Sequence, residues 1–183
     1  MTRKDLAVIW AISIVVLIAI ISRYGVIDEK NEYHFELFIQ QYGVDQITAN
    51  LIEDWVNEAS SLTGIDPALL MALIARESAF DINASGGLDE IGLMQLRPLT
   101  AGEMGVDIRN PKDNVLGGAM YLNKQLTRFG CVTKALYAYN AGASRVVNDN
   151  VPVSSLRYAQ DIIVIWEQLK TQISLNIQTE SVV

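Results

Sequence analysis

Between Thr48 and Lys170 the chain is punctuated by helix start and stop signals, and this punctuation restricts its fold more than any other feature. Thr48 can cap a helix whose apolar residues Leu51, Ile52, Trp55, Val56, Ala59 and Leu62 recur at helical spacing, with Gly64 to stop it. Asp66 is suited to cap the next, with Pro67 in its first position and "ALLMALIARES" behind it. Pro98 starts a short helix that ends at Gly105, and Asn110-Pro111 opens another that Gly130 closes. Thr133 starts a helix ending around "YNAG", and Ser154 starts the last, "SSLRYAQDIIVIWEQLK". Few segments alternate with period two. The expected fold is therefore mainly α, with at most a small β-hairpin in the glycine-rich stretch 82–96.

Ahead of this domain the run "LAVIWAISIVVLIAII", Leu6 to Ile21, carries no charge. At about 1.5 Å per residue it nearly spans a hydrocarbon layer, and extension to Tyr24 completes the crossing. A cleaved signal peptide would have a shorter apolar core and a small-x-small site, which "AIISRYG" lacks. The expectation is a single N-terminal transmembrane helix, residues 1–24, with Trp10 and Tyr24 near the interfaces. Arg3 and Lys4 precede it and "DEKNE" follows, which puts the N-terminus weakly inside and the globular part outside. Residues 25–47 read as a juxtamembrane stalk with a short helix through "FELFIQQY", 48–175 as the helical domain, and 176–183 as a tail.

The chain has 183 residues, enough for one modest domain with a buried core. Its 21 acidic and 14 basic side chains leave a net charge of −7, the wrong sign for a nucleic-acid partner. Cys131 is the one cysteine, so no intrachain disulfide can form, and it reads as a buried thiol. His34 stands apart from any ligand cluster and reads as a surface or packing residue.

Glu77 is the residue that does not fit. Leu70, Leu73 and Ile74 precede it by seven, four and three positions, so it shares their helical stripe, which faces the core. Apolar neighbours and a helix C-terminus should raise its pKa. A structural partner, a nearby arginine, would account for such a residue; so would a general acid working near neutral pH. Met94 and Gln95 of "GLMQL", just beyond the glycine-rich loop, and Tyr137, Tyr139 and Asn140 of "YAYNAG" each have a plain packing or capping reading. Together they offer apolar faces with hydrogen-bonding tips, which suit sugar rings.

The stretches "ESAF", "GLMQLRPLTA", "NPKDNVLGGAMYL", "ALYAYNAGASRV" and "RYAQDI", in this order, make the chain resemble the soluble lytic transglycosylase family over about residues 60 to 170. The resemblance implies a goose-type lysozyme-like α-helical domain. It also implies cleavage of the β-1,4 bond between N-acetylmuramic acid and N-acetylglucosamine in peptidoglycan, leaving a 1,6-anhydromuramic end. On the matched positions, Glu77 is the catalytic acid/base and Ser78 its companion at the helix end. Met94 and Gln95 correspond to cleft-lining positions, Tyr139 and Asn140 to the pair facing the scissile sugar, and Tyr158 to a tyrosine near the carboxyl. Tyr137 and Arg145 lie within or beside the motif without an assigned role.

This chain departs from the family's pattern at three places. Gly86 stands where many relatives have a serine, with Ser85 one residue early. Asp89 and Glu90 replace a small pair before "GLMQ", and Ser154 replaces a glutamate four residues before Tyr158.

The resemblance implies peptidoglycan glycan strands as partner and no metal or cofactor; taken with the expected anchor, it makes the chain a bacterial inner-membrane protein with its catalytic domain in the periplasm. Two other functions fit the same residues: a hydrolytic muramidase in which Asp89 or Glu90 activates water, and an inactive peptidoglycan-binding protein. Wall turnover, a secretion or conjugation apparatus, and phage lysis would all use such a domain.

Overall fold

The computed structural model describes residues 35–180. The expected anchor over 1–24, the stalk as far as residue 34, His34 and the last three residues lie outside the described residues. Among the described residues no helix is long and apolar enough to cross a membrane.

The described residues form eight helices: α1 Glu36–Gln40, α2 Gln46–Thr63, α3 Pro67–Ser78, α4 Pro98–Met104, α5 Pro111–Phe129, α6 Val132–Ala141, α7 Ala143–Val147 and α8 Val153–Glu180. Most of the anticipated signals operate. Asp66 caps α3 by accepting the Ala68 N–H, Asn110 caps α5, and Gly64, Gly105 and Gly130 end their helices in the left-handed conformation. The start of α2 differs from expectation. Asp45, not Thr48, is its cap, accepting from the Ile47 and Thr48 N–H groups, while the Thr48 hydroxyl donates to the other Asp45 oxygen. Asp outcompetes Thr because its carboxylate takes several donors at once.

α3 is the most deeply buried helix among the described residues. Every residue from Ala68 to Ala75 is buried, so this helix has no solvent face until its last turn. α8 runs antiparallel along it and is tied to it at both ends. Trp166 Nε1 donates to Asp66 Oδ2 at 2.7 Å, and Arg76 Nε donates to Asp161 Oδ2 at 3.2 Å. α5 packs on α2 and α6, and α6 on α8.

Part of the expected stalk belongs to this packing. Phe35 and Ile39 are buried, the Phe35 N–H donates to buried Glu53 of α2, and Phe38 and Tyr42 meet Phe80 edge-on. Only two apolar residues one helical turn apart carry the burial, too few for a visible period.

No strand is present among the described residues. The 82–96 stretch is a loop with two isolated antiparallel bridges, Ser85 with Ile91 and Ile91 with Leu96. Cys131, expected to be buried, is exposed at the N-terminus of α6, because it sits in the turn between two helices instead of on a packed face.

Candidate active site

The last turn of α3 delivers Glu77. Ala79 and Phe80 follow it with φ of 51° and 64°, a left-handed pair that turns the chain sharply and buries Phe80 in the aromatic cluster with Phe38 and Tyr42. The helix is thereby stopped with Glu77 at the mouth of a cleft of about 580 Å³, bordered by Glu90, Gln95, Tyr121, Tyr139, Asn140 and Ser155 among others. Burial pushes the Glu77 carboxyl up to about 7. A hydrogen bond from the Tyr158 hydroxyl and the adjacent Arg76 cation pull the other way, and the charge of Glu90 adds to the rise. Tyr158, buried on α8, has its own pKa raised well above the usual phenol value, first by burial and then by the Glu77 charge, so it remains a donor.

The 79–97 loop is held by one side chain of α5. Buried Asn114 accepts the Met94 N–H at 2.9 Å and donates to the carbonyls of Ile91 and Ile108 at 2.8 and 3.1 Å. Two of its three bonds go to the loop and the third to the connection between α4 and α5, so the buried amide is satisfied. The Met94 carbonyl in turn accepts the Tyr139 hydroxyl at 2.9 Å. Gln95 stands at φ 45° with its amide donating to the Gly92 carbonyl at 2.9 Å. On the opposite wall the Ser155 hydroxyl, fully buried on α8, donates to Asn140 Oδ1 at 2.7 Å.

The sequence-derived residues thus divide. Glu77, Gln95, Tyr139 and Asn140 border the cleft together, and Tyr158 reaches Glu77 from behind. Ser78 does not join them: its hydroxyl donates back to the Ile74 carbonyl within the helix. Met94, expected to line the cleft, is instead fully buried, its side chain filling the space over Gly118 of α5. An unbranched apolar chain beside a glycine is drawn into the core, and only the Met94 backbone serves the site.

Glu90 borders the cleft, with its Oε2 accepting the Leu88 N–H at 2.8 Å, whereas Asp89 is exposed outside it. Gly86 leaves room for this arrangement: a Cβ there would stand 3.0 Å from Glu90 Cβ and 2.9 Å from Gln95 Oε1. Ser154 and Arg145 border the cleft, and Tyr137 is not among the bordering residues.

Ser155, Tyr121, Arg97 and Thr100 were not anticipated. The first two had a signal. Ser155 lies three before Tyr158 and Tyr121 seven after Asn114, so each shares a helical face with a residue that serves the site. Among the described residues no group of three or more His, Cys, Asp or Glu side chains is positioned to hold a metal.

The profile of the family described as Transglycosylase SLT domain matches residues 54–161. A protein named Transglycosylase from Enterobacteria phage PRD1 is 36% identical over 91 residues, covering 49% of this chain and 34% of that one. The membrane-bound lytic murein transglycosylase F 1 of Alkalilimnicola ehrlichii is 32% identical over 130 residues, covering 56% of this chain and 26% of that one. The chain therefore spans about a third or less of the length of these two relatives. The crystal structure of the 70 kDa soluble lytic transglycosylase of Escherichia coli superposes with a TM-score of 0.62 at 21% identity, covering 78% of this chain and 29% of that one. The lysozyme-like helical fold is thus common to both.

Proposed function

Since the chain belongs to the Transglycosylase SLT domain family, we propose that it is a peptidoglycan lytic transglycosylase. It cleaves the β-1,4 bond from N-acetylmuramic acid to N-acetylglucosamine without adding water and leaves a 1,6-anhydromuramic end. One observation carries this reading. Glu77 is a carboxyl raised to about 7 by burial, and it borders a cleft whose volume of about 580 Å³ leaves room for sugar rings. A group with that pKa can give a proton and take one back near neutral pH.

Protonated Glu77 donates to the glycosidic oxygen as the bond breaks through an oxocarbenium-like transition state. The muramic acid's own N-acetyl oxygen stabilises the cation. Ionised Glu77 then removes the proton of the C6 hydroxyl as that oxygen closes on C1, so the carboxyl ends as it began. Tyr158 steadies the ionised form through its hydrogen bond. The Asn140 amide, held by Ser155, and the Gln95 amide, held by Gly92, supply polar contacts for the sugar substituents. The name of the Alkalilimnicola ehrlichii relative, a lytic murein transglycosylase, agrees with this substrate.

Hydrolysis is the second reading, and Glu90 favours it by bordering the same cleft. A muramidase would use Glu90 to activate water. Against it, Glu90 accepts the Leu88 N–H of its own loop. Membrane attachment through Leu6 to Ile21, with the domain in the periplasm, completes the proposal. It is supported by the uncharged run and by the membrane-bound relative.

The test is the full chain on purified sacculi, with products resolved by mass. Anhydro-ended muropeptides lie one water, about 18 Da, below hydrolysed ones. Glu77→Gln should lose about 10²–10⁴-fold in rate. Reducing-end products together with a dead Glu90→Gln variant would replace the lyase by the hydrolase. Near-full activity of Glu77→Gln would remove both.

A further inference from the structure

Three contacts converge beside Glu77, and only one of them touches its carboxyl. The Tyr158 hydroxyl donates to Glu77 Oε1. Arg76, in the same last turn of α3, holds its guanidinium carbon 5.4 Å from the Tyr158 ring centroid. Its Nε donates to Asp161 Oδ2 at 3.2 Å. Asp161 follows Tyr158 by three positions on α8, so the two side chains leave the same helical face one turn apart.

We propose that Arg76 and Asp161 form a clasp that fixes the Tyr158 ring and thereby aims its hydroxyl at Glu77, which makes both of them positioning residues for the acid/base. The inference rests on the reading of Glu77 as proton donor and adds two residues to its support.

The physical case is one of restricted motion. Tyr158 is 3% exposed, so the core confines most of its ring and Arg76 covers what remains. A planar guanidinium suits that task, since it stacks on an aromatic face while its fork still donates. Without Asp161 the long Arg76 chain would spread over its solvent rotamers and leave the ring. The pair contributes little to stability, because its side chains are 43% and 55% exposed. Its effect should therefore fall on geometry at the carboxyl.

Arg97 and Arg145 border the same cleft, but the groups that interact electrostatically with Glu77 are Arg76 on its own helix, Tyr158 on α8, Tyr139 on α6 and Glu90 on the loop. Arg76 is the cation of that set. Losing it removes an influence that lowers the Glu77 pKa.

The experiment compares the full-length wild type with Arg76→Gln, Arg76→Lys, Asp161→Asn, the Arg76→Gln/Asp161→Asn double variant and Glu77→Gln on soluble glycan strands. Arg76→Gln and Asp161→Asn should each lose roughly tenfold in kcat with KM unchanged, well inside the hundredfold that ~1 Å of misplacement can cost. The double variant should lose no more than either single one, since the two act as a unit. Arg76→Gln should move the basic limb of the kcat profile to higher pH. Arg76→Lys should leave that limb in place and stay low in kcat, having charge without the planar fork. Multiplying losses in the double variant, wild-type kcat in Asp161→Asn, or a kcat loss that merely follows a fall in Tm would each overturn the clasp. If Glu77→Gln is inactive while the other variants match wild type, the clasp alone fails. If Glu77→Gln is active, the proton-donor reading fails and the clasp with it.

Discussion

The Tyr158 hydroxyl donates to Glu77 Oε1 across 81 positions of sequence. Two opposed influences meet in that bond. Burial favours the protonated carboxyl and the phenol donor favours the ionised one. Burial prevails, and Glu77 titrates at about 7. A carboxyl balanced in this way can act first as acid and then as base without help from a second one.

The rate should therefore fall as pH rises through about 7. Above that value Glu77 is ionised and has no proton to give. A kcat profile on glycan strands from pH 5 to 9 reads this directly. A descending limb near the ordinary carboxylate range would show that burial does not tune the group.

Tyr158→Phe removes the donor but leaves the ring and the burial. The Glu77 pKa then rises further, and the descending limb moves to higher pH. At neutral pH kcat should drop about tenfold, the worth of a hydrogen bond to a charged group. An unmoved limb would mean that the hydroxyl only packs.

Glu77 should also cost stability. Between the ordinary carboxylate range and about 7 the unfolded chain releases this proton while the folded chain keeps it, so stability falls as pH rises through that window. Glu77→Gln escapes the penalty. Its Tm should match wild type near pH 4 and exceed it at pH 8, by at most about 3 kcal/mol in stability. Equal Tm values at both ends would contradict the buried-carboxyl picture.

Gly118→Ala should disturb the loop from beneath. The new methyl group would stand 2.6 Å from Met94 Cβ, which the end of a flexible side chain cannot relieve. Overpacking of this kind costs about 1–3 kcal/mol, read as a lower midpoint in urea. Activity should fall as well, because the Met94 backbone joins Asn114 to Tyr139.

A chain beginning at residue 45 should be markedly less stable than one beginning at residue 34. The shorter chain lacks Phe35 and Ile39, both buried, and frees Glu53 and Phe80 from contacts they now make. Burial of each large apolar side chain is worth about 1.5–3 kcal/mol. Thermal melts of the two chains decide it, and equal midpoints would make residues 35–44 dispensable.

What the sequence determined by itself was local. Caps and stops depend on a few neighbouring residues, so Asp66-Pro67, Pro98, Asn110-Pro111 and the three stop glycines could be read without knowing what they pack against. Glu77 stood out for a related reason, since a charge at the end of a wholly apolar helix is visible at helical spacing. Periodicity could not say which side Glu77 would face, because α3 is buried all round ahead of its last turn.

The tertiary structure decided the rest. Met94 and Gln95 are adjacent and both stood as cleft residues, yet one fills the core over Gly118 and the other borders the cleft, because packing volume separates them. The same holds for Asp89 and Glu90, for the Arg76–Asp161 pair and for the Ser155 bond to Asn140. Each depends on where a second helix or loop arrives in space. The approach of α8 to the end of α3 is set by the summed burial of many side chains, and no short stretch of sequence encodes that sum.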